Sequence, residues 1–449
     1  MNITKEKLLK KKVALITLGC DKNRVDAEQM LYFLKNYNFT IVGNALDAEI
    51  VIVNTCAFIK DSREESIMTI LELKNASKKL EKLIVTGCLP QKNLEELKKE
   101  LPEADLILPL KENKYIVRHI EKLYGVKDDF TPTFCNLNRV VSTPLNYAYL
   151  KIADGCNNFC SYCTIPFIRG RYRSERMEKL VLEAQELVNN GASEIILIAQ
   201  DVTKYGYDLY GEYKLVELIK KLSEIEKLKW IRLLYCYPEL INDELIEEID
   251  NNPKVCKYID IPFQHISDKI LTKMNRKGDK QRIISITEKL RNCKNYISIR
   301  STFIIGFPAE TRKDFKEMKN FLSKYKLDNV GFFAYSKEEG TKAFYMKWQI
   351  PKLIKKIRLK DIQNLQKNVI IENNQRLVGK TLTCVCEQDL EGNKVLRSEY
   401  NSPVIDTLVY IKNTDKLELY KYYQVLITDT NDIDLIGEIK KWKWTYQIK

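Results

Sequence analysis

Residues 156–163 read Cys156-Asn-Asn-Phe-Cys160-Ser-Tyr-Cys163 and place three cysteines in a CxxxCxxC pattern. An apolar run over residues 149–153 and the turn Asp154-Gly155 come directly before them. Three thiolates at this spacing can bind three corners of one iron–sulfur cube, whereas a complete cluster or a tetrahedral zinc site usually takes four protein ligands. The pattern therefore predicts a cluster with one iron that is open to another ligand.

Two other interpretations of this stretch stay open on spacing alone. Cys160 and Cys163 could form a thioredoxin-like redox pair, but Cys156 would then have no role. A zinc site would need a fourth ligand, and the sequence has no second CxxC or HxxxH pair nearby. His265, one of only two histidines, would then be the candidate ligand. The iron–sulfur interpretation is the one that uses all three cysteines.

The first part of the chain, residues 13–125, alternates apolar strands with helices, which predicts an open parallel α/β sheet. We expect strands at residues 13–17, 50–53, 83–86 and 105–109, and helices at residues 26–34, 62–75 and 94–101.

Each of the first three strands is followed by a cysteine: Cys20, Cys56 and Cys88. In an open parallel sheet the ligand crevice lies beyond the carboxyl ends of the strands, so these cysteines should converge at one edge. That arrangement predicts a second metal site with three thiolates. The alternative is three buried core cysteines, because free cysteine is among the most buried residue types.

Residues 148–340 repeat the alternation with six predicted βα units, which indicate a complete or partial TIM-like barrel. The expected strands lie at residues 149–153, 195–199, 230–234, 258–261, 301–305 and 330–334, and a helix over residues 351–373 follows. The site of such a barrel lies at the carboxyl ends of its strands. Gln200, Gln264 and Gly306 are among the residues expected there.

The last part of the chain, residues 376–449, predicts a small β-barrel of the OB type, because short β-branched and aromatic runs alternate with turn residues. The five runs lie at residues 382–387, 394–400, 404–410, 423–428 and 433–439. Basic and aromatic residues alternate at 420–423 and 441–444, which suits RNA contacts, although an ordinary surface is the alternative. Cys384 and Cys386 share one strand face and are expected to pack in the core.

The whole-chain composition bounds the class of protein. At 449 residues we expect three domains, at 10–127, 140–373 and 376–445. The net charge of +13 favours an anionic partner such as RNA or a ribosome. No apolar run is long enough for a membrane span or a signal peptide, and the twelve cysteines suit metal binding better than a disulfide framework. We therefore expect a cytoplasmic protein with no membrane partner.

The CxxxCxxC loop, with Tyr162 beside its last cysteine and six βα units after it, resembles the signature of radical S-adenosylmethionine enzymes. The complete order of an α/β domain with three cysteines, this barrel and a small β-barrel resembles the methylthiotransferase family, whose last domain is of the TRAM type. The resemblance is to the family's ribosomal-protein branch, and the segments that support it are residues 18–28, 169–174, 200–206, 232–238, 264–268 and 273–276.

The resemblance implies two 4Fe-4S clusters with separate roles. The cluster on Cys156, Cys160 and Cys163 would bind S-adenosylmethionine at its open iron and generate a 5′-deoxyadenosyl radical. The auxiliary cluster on Cys20, Cys56 and Cys88 would hold the sulfur, which a first S-adenosylmethionine methylates. No catalytic residue beyond these ligands is implied.

The resemblance also implies contacts and partners. Tyr162 would lie against the adenine, and Gln200, Gln264 and Gly306 are candidate contacts of S-adenosylmethionine, with a structural role at strand ends as the alternative. The product would be a methylthio group on the β-carbon of an aspartate in small-subunit ribosomal protein number twelve, on or near the ribosome. An electron-donating reductase and RNA contact through the TRAM domain are implied as well.

Two other functions remain as hypotheses at this point. The same chemistry on adenosine in tRNA is the other branch of the family. A non-catalytic RNA-binding protein, in which both cysteine triplets are structural metal sites, predicts zinc or no metal and no use of S-adenosylmethionine.

Overall fold

The computed structural model describes residues 4–127, 131–132, 139–390, 392–412 and 417–440. The predicted RNA-contact segment 441–444 and the end of the predicted third domain lie outside the described residues. None of the helices in these ranges combines the length and the apolar character needed to cross a lipid bilayer.

The N-terminal part forms a five-stranded parallel sheet with the order β2-β1-β3-β4-β5. Its strands are β1 Lys12–Thr17, β2 Thr40–Ile41, β3 Ile50–Thr55, β4 Lys82–Gly87 and β5 Leu106–Ile107. Its helices are α1 Lys5–Leu9, α2 Asp21–Asn36, α3 Lys60–Ala76, α4 Cys88–Glu100 and α5 Ile116–Leu123. The central strand β3 is buried along its whole length, as its apolar sequence predicts.

The register of this sheet brings three strand ends to one edge. Thr17 of β1 lies opposite Asn54 of β3, and Thr55 lies opposite Gly87 of β4. Helix α2 begins five residues earlier than predicted, at Asp21 rather than residue 26. Its first turn escaped the prediction because Lys22 and Asn23 are polar residues that are nevertheless buried.

The central part is a six-stranded parallel sheet with the order β13-β12-β11-β10-β9-β6. Since β6 and β13 do not pair in the described structure, the barrel is partial. The strands, with the small β7–β8 pair, are β6 Tyr147–Lys151, β7 Ala153–Asp154, β8 Arg173–Ser174, β9 Glu194–Ile198, β10 Trp230–Leu233, β11 Val255–Gln264, β12 Ser298–Ile305 and β13 Asn329–Ala334.

Helices accompany these strands, and most of them pack against the partial barrel. They are α6 Ile165–Ile168, α7 Met177–Asn189, α8 Tyr207–Tyr210, α9 Leu215–Ser223, α10 Asp243–Asn251, α11 Asp268–Lys273, α12 Lys280–Arg291, α13 Arg312–Tyr325 and α14 Lys352–Gln375. The largest apolar core of the described chain lies between these helices and the sheet.

The C-terminal part is a closed barrel with the strand order β14-β15-β16-β18-β17. Its strands are β14 Thr381–Leu390, β15 Asn393–Ser398, β16 Val409–Ile411, β17 Tyr422–Asn431 and β18 Asp434–Ile439. Cys384 and Cys386 are buried in its core. The predicted strand 404–410 shortens to Val409–Ile411, because Val404 adopts a φ of 70° and is 84% exposed. The predicted α/β architecture with a small terminal barrel is otherwise confirmed.

A buried charge cluster joins the C-terminal barrel to the central sheet. Glu194 of β9 accepts hydrogen bonds of 2.6 Å from Arg232 of β10 and of 2.6 Å from Arg397 of β15. All three side chains are fully buried. Glu194 is therefore shared by two guanidinium groups that approach from different domains, and Glu387 of β14 also pairs with Arg397 at 2.7 Å.

We predict that Glu194→Gln destabilises the protein, because it leaves the buried Arg232 without its carboxylate partner and Arg397 with Glu387 alone. Removing one partner of a buried ion pair typically costs about 3–5 kcal/mol. Chemical denaturation followed by circular dichroism should show this loss in the free energy of unfolding. Glu217→Gln is the matched control, since the pair of Glu217 with Lys214 is partly exposed. Equal unfolding midpoints for the two variants would contradict the prediction.

Candidate functional site

Cys20, Cys56 and Cys88 meet at the carboxyl edge of the N-terminal sheet. Cys20 caps the start of α2, Cys88 is the first residue of α4, and Cys56 follows β3. A Cβ atom placed on Gly19 would lie only 2.8 Å from the Cys56 sulfur, so the loop before Cys20 rests directly on Cys56. The positive ends of two helix dipoles therefore face a site where thiolates would gather.

Asn23 holds the three loops of this first triplet together. Its amide nitrogen donates to the carbonyl oxygens of Leu18 at 2.9 Å and Thr55 at 3.0 Å. Its amide oxygen accepts from the Cys88 thiol at 3.5 Å. One buried side chain thus fixes the ends of β1 and β3 and the sulfur at the start of α4.

Burial keeps the Cys56 and Cys88 thiols neutral in the absence of a metal. It raises the pKa of Cys88 to about 12, and it raises the pKa of Cys56 as well. The neighbouring thiols add to both effects, since Cys20 acts on each of them. A coordinated metal ion removes the proton of a thiol outright, so metal binding would overcome this cost of burial.

The second triplet lies on the loop between the short strands β7 and β8, which pair with each other and close the base of the loop. The Cys156 backbone N–H donates to the carbonyl of Gly170 at 3.1 Å, and the Asn158 backbone N–H points at the Cys156 sulfur at 3.5 Å. The Cys160 sulfur lies 3.2 Å from the Tyr237 hydroxyl. Burial raises the pKa of Cys156 to about 11 and that of Cys163 further.

Gly155 and Gly87, each directly before a cysteine, are required by close backbone contacts. Gly155 has a φ of 79°, and a Cβ there would lie 2.2 Å from the carbonyl oxygen of Arg171. Gly87 has a φ of 103°, and its Cβ would lie 2.5 Å from the backbone nitrogen and oxygen of Thr55. A side chain at either position would displace the following cysteine.

The histidine considered as a fourth zinc ligand is engaged elsewhere. The His265 ring is buried, and its Nδ1 accepts from the backbone N–H groups of Ile266 and Ser267 at 2.9 Å each. Its Nε2 lies 3.5 Å from Glu310. Across the described ranges, no group of three or more His, Cys, Asp or Glu side chains is arranged to hold one metal ion. The thiolates of an iron–sulfur cube bind different irons, so a cube does not need that arrangement.

The other predicted site residues lie around the second triplet. Tyr162 is half-buried and packs edge-on against Phe307 with 6.4 Å between ring centres. Gln200 follows β9, and its buried side-chain oxygen has no hydrogen-bond partner in the described structure. Gln264 ends β11 with a φ of 70°. Gly306 follows β12, donates its backbone N–H to Glu310 at 2.8 Å and lies against the Lys355 side chain.

Arg169 links the two triplets. Its guanidinium contacts the Cys88 sulfur at 3.8 Å, the Asn23 amide oxygen at 2.6 Å and the Asp26 carboxylate at 2.8 Å. It also pairs with Asp154, the residue before Gly155-Cys156, at 3.1 Å. Burial alone would raise the pKa of Asp154, but the charges of Lys151 and Arg169 outweigh burial and hold that pKa below its usual range.

The loop after β10 forms a second link between the triplets. The Lys22 ammonium, two residues after Cys20, lies 3.2 Å from the centre of the Tyr235 ring. Two residues further along this loop, Tyr237 contacts Cys160 and stacks under the Arg276 guanidinium at 3.9 Å. Arg276 Nη1 is buried and, among the described residues, has no hydrogen-bond partner.

The roles of Asn23, Arg169 and Lys22 in this site were not predicted from the sequence. Arg169 and Asp26 are 143 positions apart, and no local pattern links them. The one available signal was the run of arginines at 169, 171 and 173, directly after the cysteine loop.

Family comparisons divide the chain into three matched segments. Residues 12–109 match the Uncharacterized protein family UPF0004, residues 150–322 match the Radical SAM superfamily, and residues 378–439 match the TRAM domain. The first two segments contain the two cysteine triplets.

Several similar proteins carry the name ribosomal protein uS12 methylthiotransferase RimO. The protein of Thermoanaerobacter sp. (strain X514) is 45% identical over 435 residues, which cover 95% of this chain and 100% of that protein. The protein of Acetivibrio thermocellus is 44% identical over 447 residues, 96% of this chain and 99% of that protein. The protein of Clostridium botulinum (strain Hall) is 45% identical over 438 residues, 95% of this chain and 98% of that protein.

Two solved structures share the fold at low sequence identity. Both are of TsrM, a radical S-adenosylmethionine methyltransferase from Kitasatospora setae. The structure with cobalamin and a 4Fe-4S cluster has a TM-score of 0.53 at 11% identity and covers 86% of this chain and 77% of that chain. The structure with tryptophan substrate and the S-adenosylmethionine analogue aza-SAM has a TM-score of 0.51 at 13% identity and covers 72% of each chain. These likenesses concern the fold alone.

We predict that Gly87→Ala removes the metal from the first triplet only, because the new Cβ forces the end of β4 away from β3. Iron analysis after anaerobic reconstitution should fall from about eight to about four irons per chain, one 4Fe-4S cluster. Gly211→Ala is the matched control: Gly211 also has a positive φ, 75°, but nothing lies near its Cβ position. Full iron content in Gly87→Ala would contradict the prediction.

Proposed function

Because this chain belongs to the RimO family of ribosomal protein uS12 methylthiotransferases, we propose that it attaches a methylthio group to the β-carbon of an aspartate in ribosomal protein uS12. The chain is a radical S-adenosylmethionine methylthiotransferase, as the sequence resemblance predicted. The observation that supports the finer proposal best is the pair of separate thiol triplets joined by one buried residue, Arg169.

The donor groups fit two 4Fe-4S clusters and S-adenosylmethionine. Cys156, Cys160 and Cys163 would hold one cluster, and Cys20, Cys56 and Cys88 the other. When bound, the first cluster would supply the electron that cleaves S-adenosylmethionine, and the second would hold the sulfur of the methylthio group. Each triplet leaves one iron of a cube without a protein ligand, which both roles require.

The protein's own residues shield and orient these groups. Cys56, Cys88, Cys156 and Cys160 are each at most 7% exposed, which keeps water away from the sulfur atoms. Backbone N–H groups and the Tyr237 hydroxyl point at sulfur in the second triplet, and Arg169 places a positive charge beside Cys88 in the first. Such donors stabilise thiolates, and they set the potential of a cluster.

Contacts to S-adenosylmethionine are proposed for residues beside the second triplet. Tyr162 lies in the cysteine loop itself, and Gln200, Gln264 and Gly306 lie at strand ends. Gln200 offers a buried acceptor and Arg276 a buried donor, and neither atom has a partner in the described structure. A ligand with an ammonium and a carboxylate group would satisfy both, which removes the cost of leaving them unpaired.

The three segments of the chain would have separate roles. We assign the auxiliary cluster to residues 10–127, the radical chemistry to residues 140–373 and RNA contact to the TRAM segment 376–445. The net charge of +13 favours binding on or near the ribosome, where uS12 is surrounded by RNA. A reductase would supply the electrons.

We predict that removal of one triplet and removal of the other have different effects on the reaction. Combining Cys156→Ala, Cys160→Ala and Cys163→Ala should abolish cleavage of S-adenosylmethionine to 5′-deoxyadenosine, because no cluster remains to deliver an electron. Combining Cys20→Ala, Cys56→Ala and Cys88→Ala should preserve this cleavage but leave uS12 unmodified. The two readouts are chromatography of 5′-deoxyadenosine and intact mass of uS12.

Cys293→Ala is the control for this experiment, since Cys293 is partly exposed and remote from both triplets in its contacts. Zinc at about one ion per chain instead of iron would refute the proposal in favour of a structural metal site. Loss of methylthio from tRNA adenosine, with uS12 unchanged, in cells that lack this gene would refute the choice of substrate.

A further inference from the structure

Lys22 is a buried lysine without an acidic partner at ion-pair distance. Lys22 is only 5% exposed, yet its ammonium makes no ion pair with any described residue. Two carboxylates, Asp21 and Asp260, act on the Lys22 charge from beyond ion-pair distance. Asp21 accepts a hydrogen bond from the Tyr235 hydroxyl at 3.3 Å, and Asp260 accepts one from the Tyr235 backbone N–H at 3.0 Å. Because buried charges are normally paired, an ammonium held over a tyrosine ring suggests a partner that arrives with a ligand.

Lys22 lies between the two thiol triplets. It follows Cys20 by two residues, and the loop that supports it through Tyr235 contacts Cys160 through Tyr237. A reacting carbon that meets both clusters must pass through this region. Lys22 is therefore placed where the substrate is expected.

The other cations around this region have partners. Arg169 pairs with Asp26 and Asp154. Arg276 donates to the carbonyl of Pro262 at 2.9 Å, and Lys204 lies 3.8 Å from Asp201 and bonds to Asn158. Among these four cations of the described site, Lys22 is the one whose charge no acidic side chain compensates at ion-pair distance.

We propose that the Lys22 ammonium binds the side-chain carboxylate of the target aspartate, an inference that rests on the proposed function. The β-carbon that receives the methylthio group is bonded directly to this carboxylate, so a cation between the triplets can hold the β-carbon between them. The same contact rejects a neutral side chain at the target position, because asparagine would leave the buried ammonium unpaired.

The test compares uS12 with a variant of uS12 that has asparagine in place of the target aspartate. Both bind to anaerobically reconstituted enzyme, and dissociation constants are measured without S-adenosylmethionine. Wild-type enzyme should bind the aspartate form about 10- to 100-fold more tightly, the range for a hydrogen bond to a charged group. Lys22→Met should bind both forms equally, and Lys22→Arg should restore part of the preference.

Arg24→Met is the matched control on the same helix, since the Arg24 guanidinium donates to the carbonyl of Ser142. It should keep the wild-type preference. Iron content is measured for every variant, and Lys22→Gln replaces Lys22→Met if the latter holds less iron.

Two results would overturn the inference: an unchanged preference for aspartate in Lys22→Met, or an equal loss of affinity for both forms, which indicates a structural role. A failure of the proposed function would be distinguishable from both results, because wild-type enzyme would then leave uS12 unmodified.

Discussion

The buried guanidinium of Arg169 is the interaction on which the arrangement of this protein depends. It contacts the sulfur of Cys88 and the side chains of Asn23 and Asp26 on one side, and Asp154 on the other. A buried arginine is stable only when its charge and donors are satisfied. The N-terminal sheet and the cysteine loop of the partial barrel must therefore approach each other in one orientation, which fixes the position of one triplet relative to the other.

The domains of this chain are joined by charged contacts as well as by apolar packing. Glu194 between Arg232 and Arg397 orients the C-terminal barrel. In α3, the Arg63 guanidinium and the Lys60 backbone N–H both bind the Glu338 carboxylate beyond β13. Apolar surfaces tolerate small sliding motions, whereas a buried ion pair fails when its partners move apart. Buried ion pairs between domains therefore suit an enzyme whose two metal sites must keep a constant separation.

Much of the fold could be predicted because it depends on local pattern. The apolar strand β3, the six βα units and the cysteines after β1, β3 and β4 all follow from periodicity and spacing. The two-residue strand β2 was missed because both of its residues are exposed. Asn23, Lys22 and Arg169 could not be assigned, because their partners lie far away in sequence and polar residues are normally expected at the surface.

The central claim is that both triplets act on one carbon of one substrate. In its most direct test, enzyme with both clusters reconstituted reacts with uS12 whose target aspartate carries deuterium on the β-carbon. The account predicts deuterium in the 5′-deoxyadenosine and a methylthio group on the same aspartate. Methylthiolated uS12 together with deuterium-free 5′-deoxyadenosine would contradict it.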